Sequence, residues 1–498
     1  MRRDEMPKML SFGRIPKSPA RTIAVLSALA AIAVSVSPGS ESRAAVDPSP
    51  PNVILILTDD QRWDTLSVMP QVQSLLQQRG TYFPNAFVPN SLCCPPRASI
   101  LTGSYSHTNG VYGNSMPFGG FKAFQDSTTI ATAMRDAGYR TMFVGKYLNG
   151  YPEGNYGYVP PGWDQWFATA SGVYYDWQAA DNGARSRMYG SRPAEYSGRV
   201  FTSQALSDMR TTPSDQPFFM IYAPAAPHGT SGGSTLDPRG RTATPDPRDV
   251  GAYGGIERWL PPSFGLRDRM VGKPDYMSEE RWNGEDRRYA DLYRQRQLES
   301  LLGVDRSIAR ILEAAPDDTV VIYMSDNGFL WGEHRRLNKQ VPYEEAIRIP
   351  LIIAGPGVPV GVDTRLVLNI DVTTTIATIG GIDAGTVPLG TNLSGEPIVS
   401  EGMDLMGTET RESFVLEHWD NEPKVPGYCG VRTVQFMYAR YFDPRFRDDL
   451  GFEELYDVVA DPFELENLAT DADYADVLAE QRGEAQALCS PVPPTYRW

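Results

Sequence analysis

The chain has 498 residues, 41% hydrophobic and 21% charged, a balance that excludes a disordered or fibrous protein. Its formal net charge of -15 excludes a nucleic-acid footprint over the whole surface, although a local basic pocket can still draw in an anionic substrate. The length suits two domains, one large and one small. Only seven of the 46 basic residues are lysine, so each lysine carries more information than usual.

The first predicted element is an export signal over residues 1–45. Arg14, Lys17 and Arg21 precede the apolar run Thr22 to Val36, and a small-residue cleavage point follows near Ala44 or Ala45. The run is short for a membrane span, so no stable membrane insertion is expected after cleavage. Export places the chain where disulfides form. Cys429 and Cys489 can bridge, which leaves the adjacent pair Cys93 and Cys94 to be explained.

Strand-like and helix-like segments then alternate. "NVILILTDD" (Asn52 to Asp60) is a continuous apolar run ending in two aspartates. "YRTMFVGKY" ends at Lys146, "PFFMIYAPAAPHG" leads to His228, and "DTVVIYMSDNG" ends at Asp326 and Asn327. "RIPLIIAGPG" is a further strand. Runs apolar on both faces indicate a buried parallel sheet. Helical patterns over Ser127 to Tyr139 and Tyr289 to Ala315 lie between the strands. The class is α/β: a large, mostly parallel sheet sandwiched between helices. From about Gly385 the pattern changes. "TVQFMYARYF" and "EELYDV" read as antiparallel strands, and Asp471 to Cys489 as a terminal helix. The domains expected are therefore 48–385, the large α/β unit, and 386–498, a small α+β unit. Two regions break the alternation. Tyr147 to Trp177 is aromatic-rich and reads either as a self-packed loop or as a ligand wall. Ser231 to Glu285 is a long insertion of the kind that forms lids or substrate loops.

Ligands bind beyond the carboxyl ends of the strands in such sheets. Asp59, Asp60, Asp326 and Asn327 supply hard oxygen donors there, a set for Ca²⁺ or Mg²⁺ rather than zinc. Caps on helices are the plainer role for the same residues. In "SLCCPPRASILTG", Pro95 and Pro96 suit the first turn of a helix that ends at Gly103. Cys93 then sits at a helix N-terminus, where anions are favoured and a thiol pKa can fall.

The run Cys93-x-Pro95-x-Arg97 followed by "ASILTG" resembles the motif of the sulfatase family, in which the cysteine becomes formylglycine (3-oxoalanine). The resemblance continues through "VILILTDDQ", "VGKYLNGY", "APHGT", "MSDNG", "LNKQVPYEEAIRIPLII" and "ELYDVVADPFELENLA". In "SLCCPPRASILTG", "GKYLNGY" and "PPGWDQW" it is nearest to N-acetylglucosamine-6-sulfatases and related extracellular glucosamine sulfatases. It implies an alkaline-phosphatase-like fold and one Ca²⁺ held by Asp59, Asp60, Asp326 and Asn327, with residue 93 facing the metal. It implies that Arg97 and Lys146 hold the hydrated aldehyde, and that His228 and Lys339 contact the sulfate ester and its leaving oxygen. A hydroxyl of the hydrated aldehyde would attack sulfur, His228 would protonate the departing alcohol, and the aldehyde would reform as sulfate leaves. The partners implied are a formylglycine-generating enzyme and a sulfated sugar or aryl sulfate, with no nucleic acid. Two positions depart from the family pattern. Pro96 stands where serine is usual, and Leu148 where many members have a histidine. His107 and His334 are then candidates for the base in sulfate release, and His418 lies near the domain junction. The competing readings are a phosphodiesterase or phosphonate monoester hydrolase of the same fold, and a non-catalytic binder of sulfated glycans. Asn327 argues against the first, where such enzymes tend to have histidine. The complete metal and lysine set argues against the second.

Overall fold

The computed structural model describes residues 50–152, 154–171, 173–230, 237, 239–265, 272–278, 282–419, 425–442 and 449–493. The expected export signal lies outside the described residues, as does part of the 231–285 insertion.

Strand β1 (Asn52–Thr58) is buried along its whole length near the middle of a ten-stranded sheet. Val53, Leu55 and Leu57 enter one core and Ile54 and Ile56 the other, because successive strand residues face opposite sides. Both faces are covered, so the strand reads as an unbroken apolar run. The other strands are β2 (Gly80–Tyr82), β3 (Arg140–Gly145), β4 (Gln165–Ser171), β5 (Gln178–Asp181), β6 (Ala184–Arg185), β7 (Phe218–Ala223), β8 (Thr319–Ser325), β9 (Leu351–Ala354) and β10 (Gly361–Val362). Their order is β10-β2-β9-β8-β1-β7-β3-β4-β5-β6. Strands β8, β1, β7, β3 and β4 run parallel, so their carboxyl ends open on one edge. Strand β9 runs antiparallel to β8, a direction its apolar run could not reveal.

Helices α1 (Cys94–Thr102), α2 (Ile130–Asp136) and α5 (Asn369–Ile379) cover the Val53 face. Helices α3 (Ser197–Arg210) and α4 (Gly284–Ala314) cover the other. Helix α4 begins at Gly284 rather than Tyr289 because the Asn283 side chain caps it, accepting from the amides of Glu285 and Asp286. Helix α2 is capped by the Thr129 side chain, which accepts from the amide of Ala131.

The aromatic segment after β3 belongs to the core. Tyr147, Tyr151, Trp163 and Trp166 are buried around Phe143, and Trp166 Nε1 donates to the Tyr151 hydroxyl at 2.7 Å. It is a self-packed loop, not a ligand wall.

The last part of the chain forms a four-stranded antiparallel sheet, β11 (Ser413–His418), β12 (Gly427–Thr433), β13 (Phe436–Phe442) and β14 (Asp449–Asp457), with helix α6 (Ala475–Leu488) against it. The sequence reading found β13, β14 and α6 but not β11 and β12. Cys429 on β12 is disulfide-bonded to Cys489 at the end of α6, 60 residues away. Closing a loop of that length restricts the unfolded chain, so Cys489→Ser should cost about 2–4 kcal/mol. Urea unfolding of the variant checks this; an unchanged midpoint would count against it.

Candidate active site

Helix α1 begins as its prolines dictate. Cys93 is the cap, Pro95 lies in the first turn where a missing N–H costs nothing, and Gly103 ends the helix at φ 68°. The amide of Cys94 donates to Asn114 Oδ1 at 2.8 Å. Cys94 points into the core, whereas Cys93 points to the carboxyl edge of the sheet. Cys93 is 1% exposed. Burial pushes its thiol up to about 11 despite Lys146 and Lys339 nearby, so the helix N-terminus does not make it a thiolate. As a plain cysteine it is a poor nucleophile at neutral pH.

The strand ends converge on Cys93. Asp59 and Asp60 follow β1, Asp326 and Asn327 follow β8, and Lys146 follows β3. Arg97 stands one turn into α1 and binds three of these segments. It donates to Asp59 Oδ2 at 3.0 Å, Asp326 Oδ2 at 2.8 Å and the Lys146 carbonyl at 2.7 Å. Lys146 also pairs with Asp59. Lys339 Nζ reaches Asp60, Cys93 Sγ at 2.8 Å and Asn327 Oδ1 at 3.3 Å. Burial opposes the Lys339 charge, but Asp60 and Cys93 outweigh it and hold the ammonium protonated. Burial likewise works against the Asp59 carboxylate, and Lys146, His228 and Arg97 overcome it, holding Asp59 well below the usual carboxylate range.

His228 completes the group. Ligand atoms of Asp59, Asp60, Cys93 and His228 lie within 4.8 Å of one another. The ring Nδ1 is 2.6 Å from the Gly229 carbonyl oxygen, so it carries a proton, and Nε2 faces Asp60 Oδ2 at 3.8 Å. The Tyr174 hydroxyl donates to the His228 carbonyl at 2.6 Å and fixes the loop. Burial and Lys146 push the imidazole below its ordinary pKa. A cavity of about 980 Å³ opens from His228, Asp60 and Lys339 to solvent. Tyr289, Tyr293, Phe329, Trp282, Arg239 and Arg241 are among the residues on its walls.

All nine residues singled out in the sequence are thus brought to one place. The other three histidines are not. His107 pairs with Glu417 at 3.1 Å, His334 is buried against Tyr343, and His418 is buried beside Tyr428. As candidate bases His107 and His334 are set aside, because packing holds each away from the cavity.

The profile of the family described as Sulfatase matches residues 51–382, more than half of the chain. The chain belongs to the sulfatase family. Its members are sulfuric ester hydrolases. A second profile, N-sulphoglucosamine sulphohydrolase, C-terminal, matches residues 332–489. The N-acetylglucosamine-6-sulfatase of Capra hircus is 28% identical over 500 residues, spanning 90% of this chain and 85% of the relative. A Caenorhabditis elegans extracellular sulfatase Sulf-1 homologue is 32% identical over 347 residues, 66% of this chain and 47% of the relative's length. A protein solved with its substrate D-glucosamine-2-N,6-O-disulfate superposes with a TM-score of 0.71 at 23% identity, covering 88% of this chain and 97% of that one. That likeness establishes the fold.

Sequence reasoning missed the residues that hold this sulfatase centre in place. Asn114 caps α1 from a loop without a pattern of its own. Gln297, a buried polar residue on α4, donates to the Asp60 carbonyl at 3.5 Å and the Pro227 carbonyl at 3.3 Å. A polar residue inside an apolar helical stripe was the available signal for Gln297.

Proposed function

We propose that the protein hydrolyses sulfate monoesters of sugars, such as N-acetylglucosamine-6-sulfate, with formylglycine at position 93 and one Ca²⁺. The observation that carries this reading is Cys93 buried at a helix cap among three carboxylates and three cations, beside Asp60, Lys339 and His228, which line the cavity. The naming of relatives as N-acetylglucosamine-6-sulfatases supports the sugar class. Relatives named extracellular support export, and among the described residues no helix is long and apolar enough to cross a membrane.

The donor set fits a hard divalent cation, because Asp59, Asp60, Asp326 and Asn327 offer only oxygen and a side-chain amide. Those four would hold Ca²⁺, which when bound polarises the sulfuryl oxygens. The hydrated aldehyde supplies the nucleophilic hydroxyl. Lys146 and Lys339 bind the sulfuryl oxygens and stabilise the charge that develops there. Arg97 fixes Asp59 and Asp326 so that neither swings toward the anion. His228 Nε2 faces the cavity and holds the proton for the departing sugar oxygen. Nδ1 already donates to Gly229, so a proton on Nε2 makes an imidazolium, which a bound sulfate favours. The aromatic walls suit sugar faces. The buried position of Cys93 requires the formylglycine-generating enzyme to act before α1 packs.

His228→Ala should lower kcat by roughly 10²–10⁴ on sugar sulfates, whose alcohol leaves poorly, and much less on 4-nitrophenyl sulfate. An equal loss on both would remove His228 from this role. Chelation followed by desalting should abolish turnover and added Ca²⁺ should restore it; full activity after chelation would contradict the metal assignment. The reading as a whole is tested by comparing sulfate release from N-acetylglucosamine-6-sulfate with hydrolysis of a phenyl phosphonate monoester. Sulfate release is expected to dominate, and a strong phosphonate preference would overturn it.

A further inference from the structure

His334, Glu345 and Glu464 lie apart from the cavity and take no part in the chemistry above. All three are buried, at 0%, 5% and 1% exposed. They come from three segments: the turn after Trp331, the helical turn Glu344–Ile347, and the loop after β14. One ligand atom from each lies within 4.8 Å of the others.

Four atoms in this cluster have no protein partner: both ring nitrogens of His334, Oε2 of Glu345 and Oε1 of Glu464. Leaving a buried polar atom unpaired costs about 1–3 kcal/mol, so such a concentration calls for an occupant. The surroundings do not provide one. Glu333 is held by Arg62 at 2.9 Å, Glu344 by Arg432 at 2.8 Å, and Glu454 by the hydroxyls of Tyr343, Tyr441 and Tyr456. Lys273 donates to the Glu464 carbonyl oxygen at 2.7 Å and lies over the Tyr343 and Tyr456 rings. No ion pair reaches the carboxylate of Glu345 or Glu464 among the described residues. Stacking on Tyr343, with ring centroids 4.1 Å apart, fixes the plane of the imidazole.

We infer that His334, Glu345 and Glu464 form a second metal site, which takes one divalent cation of the Zn²⁺ type. One imidazole nitrogen with two carboxylate oxygens is a zinc donor set, whereas the oxygen donors beside Cys93 suit Ca²⁺. The site joins the turn that precedes Lys339 to the loop after β14, so the cation would anchor the segment that delivers Lys339.

The test is a metal count on untagged, full-length protein. The protein is stripped with chelator, reloaded with excess Ca²⁺ and equimolar Zn²⁺, desalted and analysed for both elements. Wild type should keep one zinc per chain. His228→Ala, which takes the only imidazole from the other cluster, should keep it too, while His334→Gln and Glu464→Gln should lose it with circular dichroism unchanged. X-ray absorption at the zinc edge of His228→Ala, whose other cluster has no imidazole, should still show one imidazole and oxygen ligands without sulfur, which decides the matter even where another variant fails to fold. A wild type that keeps no zinc, as water or a shared proton in the cluster would give, overturns the site. So does zinc retained equally by Glu464→Gln, or a sulfur ligand. None of these readouts depends on turnover.

Discussion

Cys93→Ala is expected to abolish sulfate ester turnover, by roughly 10⁴-fold or more, in a protein that still folds. The loss is large because the proposed nucleophile derives from this side chain and no neighbour can replace it. Asp59 and Asp60 are acceptors engaged by Lys146 and Lys339, and the only nearby imidazole faces Asp60. The fold survives because the side chain is small and Lys339 keeps Asp60 and Asn327 as partners. Cys94→Ala is the control that separates the two adjacent cysteines. Cys94 packs in the core under α1, so its loss should cost stability while turnover stays near wild type. Initial rates of sulfate release and urea unfolding of both variants check this. A Cys93→Ala protein that keeps turnover would remove the proposed chemistry.

Arg97→Ala should destabilise the fold by about 3–5 kcal/mol, because it strands the buried carboxylate of Asp326 and removes one of the two cations on Asp59. The guanidinium is buried, and its three acceptors follow the carboxyl ends of β1, β8 and β3. Asp59 keeps Lys146, but Asp326 has no other ion pair among the described residues. Lysine at this position is a point charge that cannot span three acceptors, so Arg97→Lys should recover only part of the loss. In the proposed maturation Arg97 also belongs to the motif read for conversion of Cys93, so activity alone would mix two effects. The urea midpoint isolates the structural one. An unchanged midpoint for Arg97→Ala would show that the arginine does not brace the site.

Much of the candidate site was legible in the sequence for a physical reason. A strand buried on both faces is apolar throughout, so Asp59, Asp60, Asp326 and Asn327 stand out where the run stops. The adjacent prolines after Cys93 and the glycine at 103 mark both ends of α1. What was not legible depends on packing between distant segments. His107 was a fair candidate base, but the pairing of its turn with β11 gives it to Glu417. Asn114 acts through one hydrogen bond that no periodicity announces, and the partners of Gln297 on two distant loops are set only by packing. Strands β11 and β12 were missed because "SFVLEH" and "GYCGVRT" alternate weakly and carry polar or glycine positions that only their neighbours explain. The orientation of β9 was likewise set by its connection and not by its composition.

The central claim is that residue 93 acts as an aldehyde made from cysteine. Mass spectrometry of the peptide spanning residues 91–103, taken from a preparation whose sulfate ester turnover has been measured, tests it most directly. The account predicts that residue 93 carries an aldehyde in place of its thiol, that residue 94 remains cysteine, and that activity rises in proportion to the converted fraction. Full activity in protein whose residue 93 is still a thiol would contradict it.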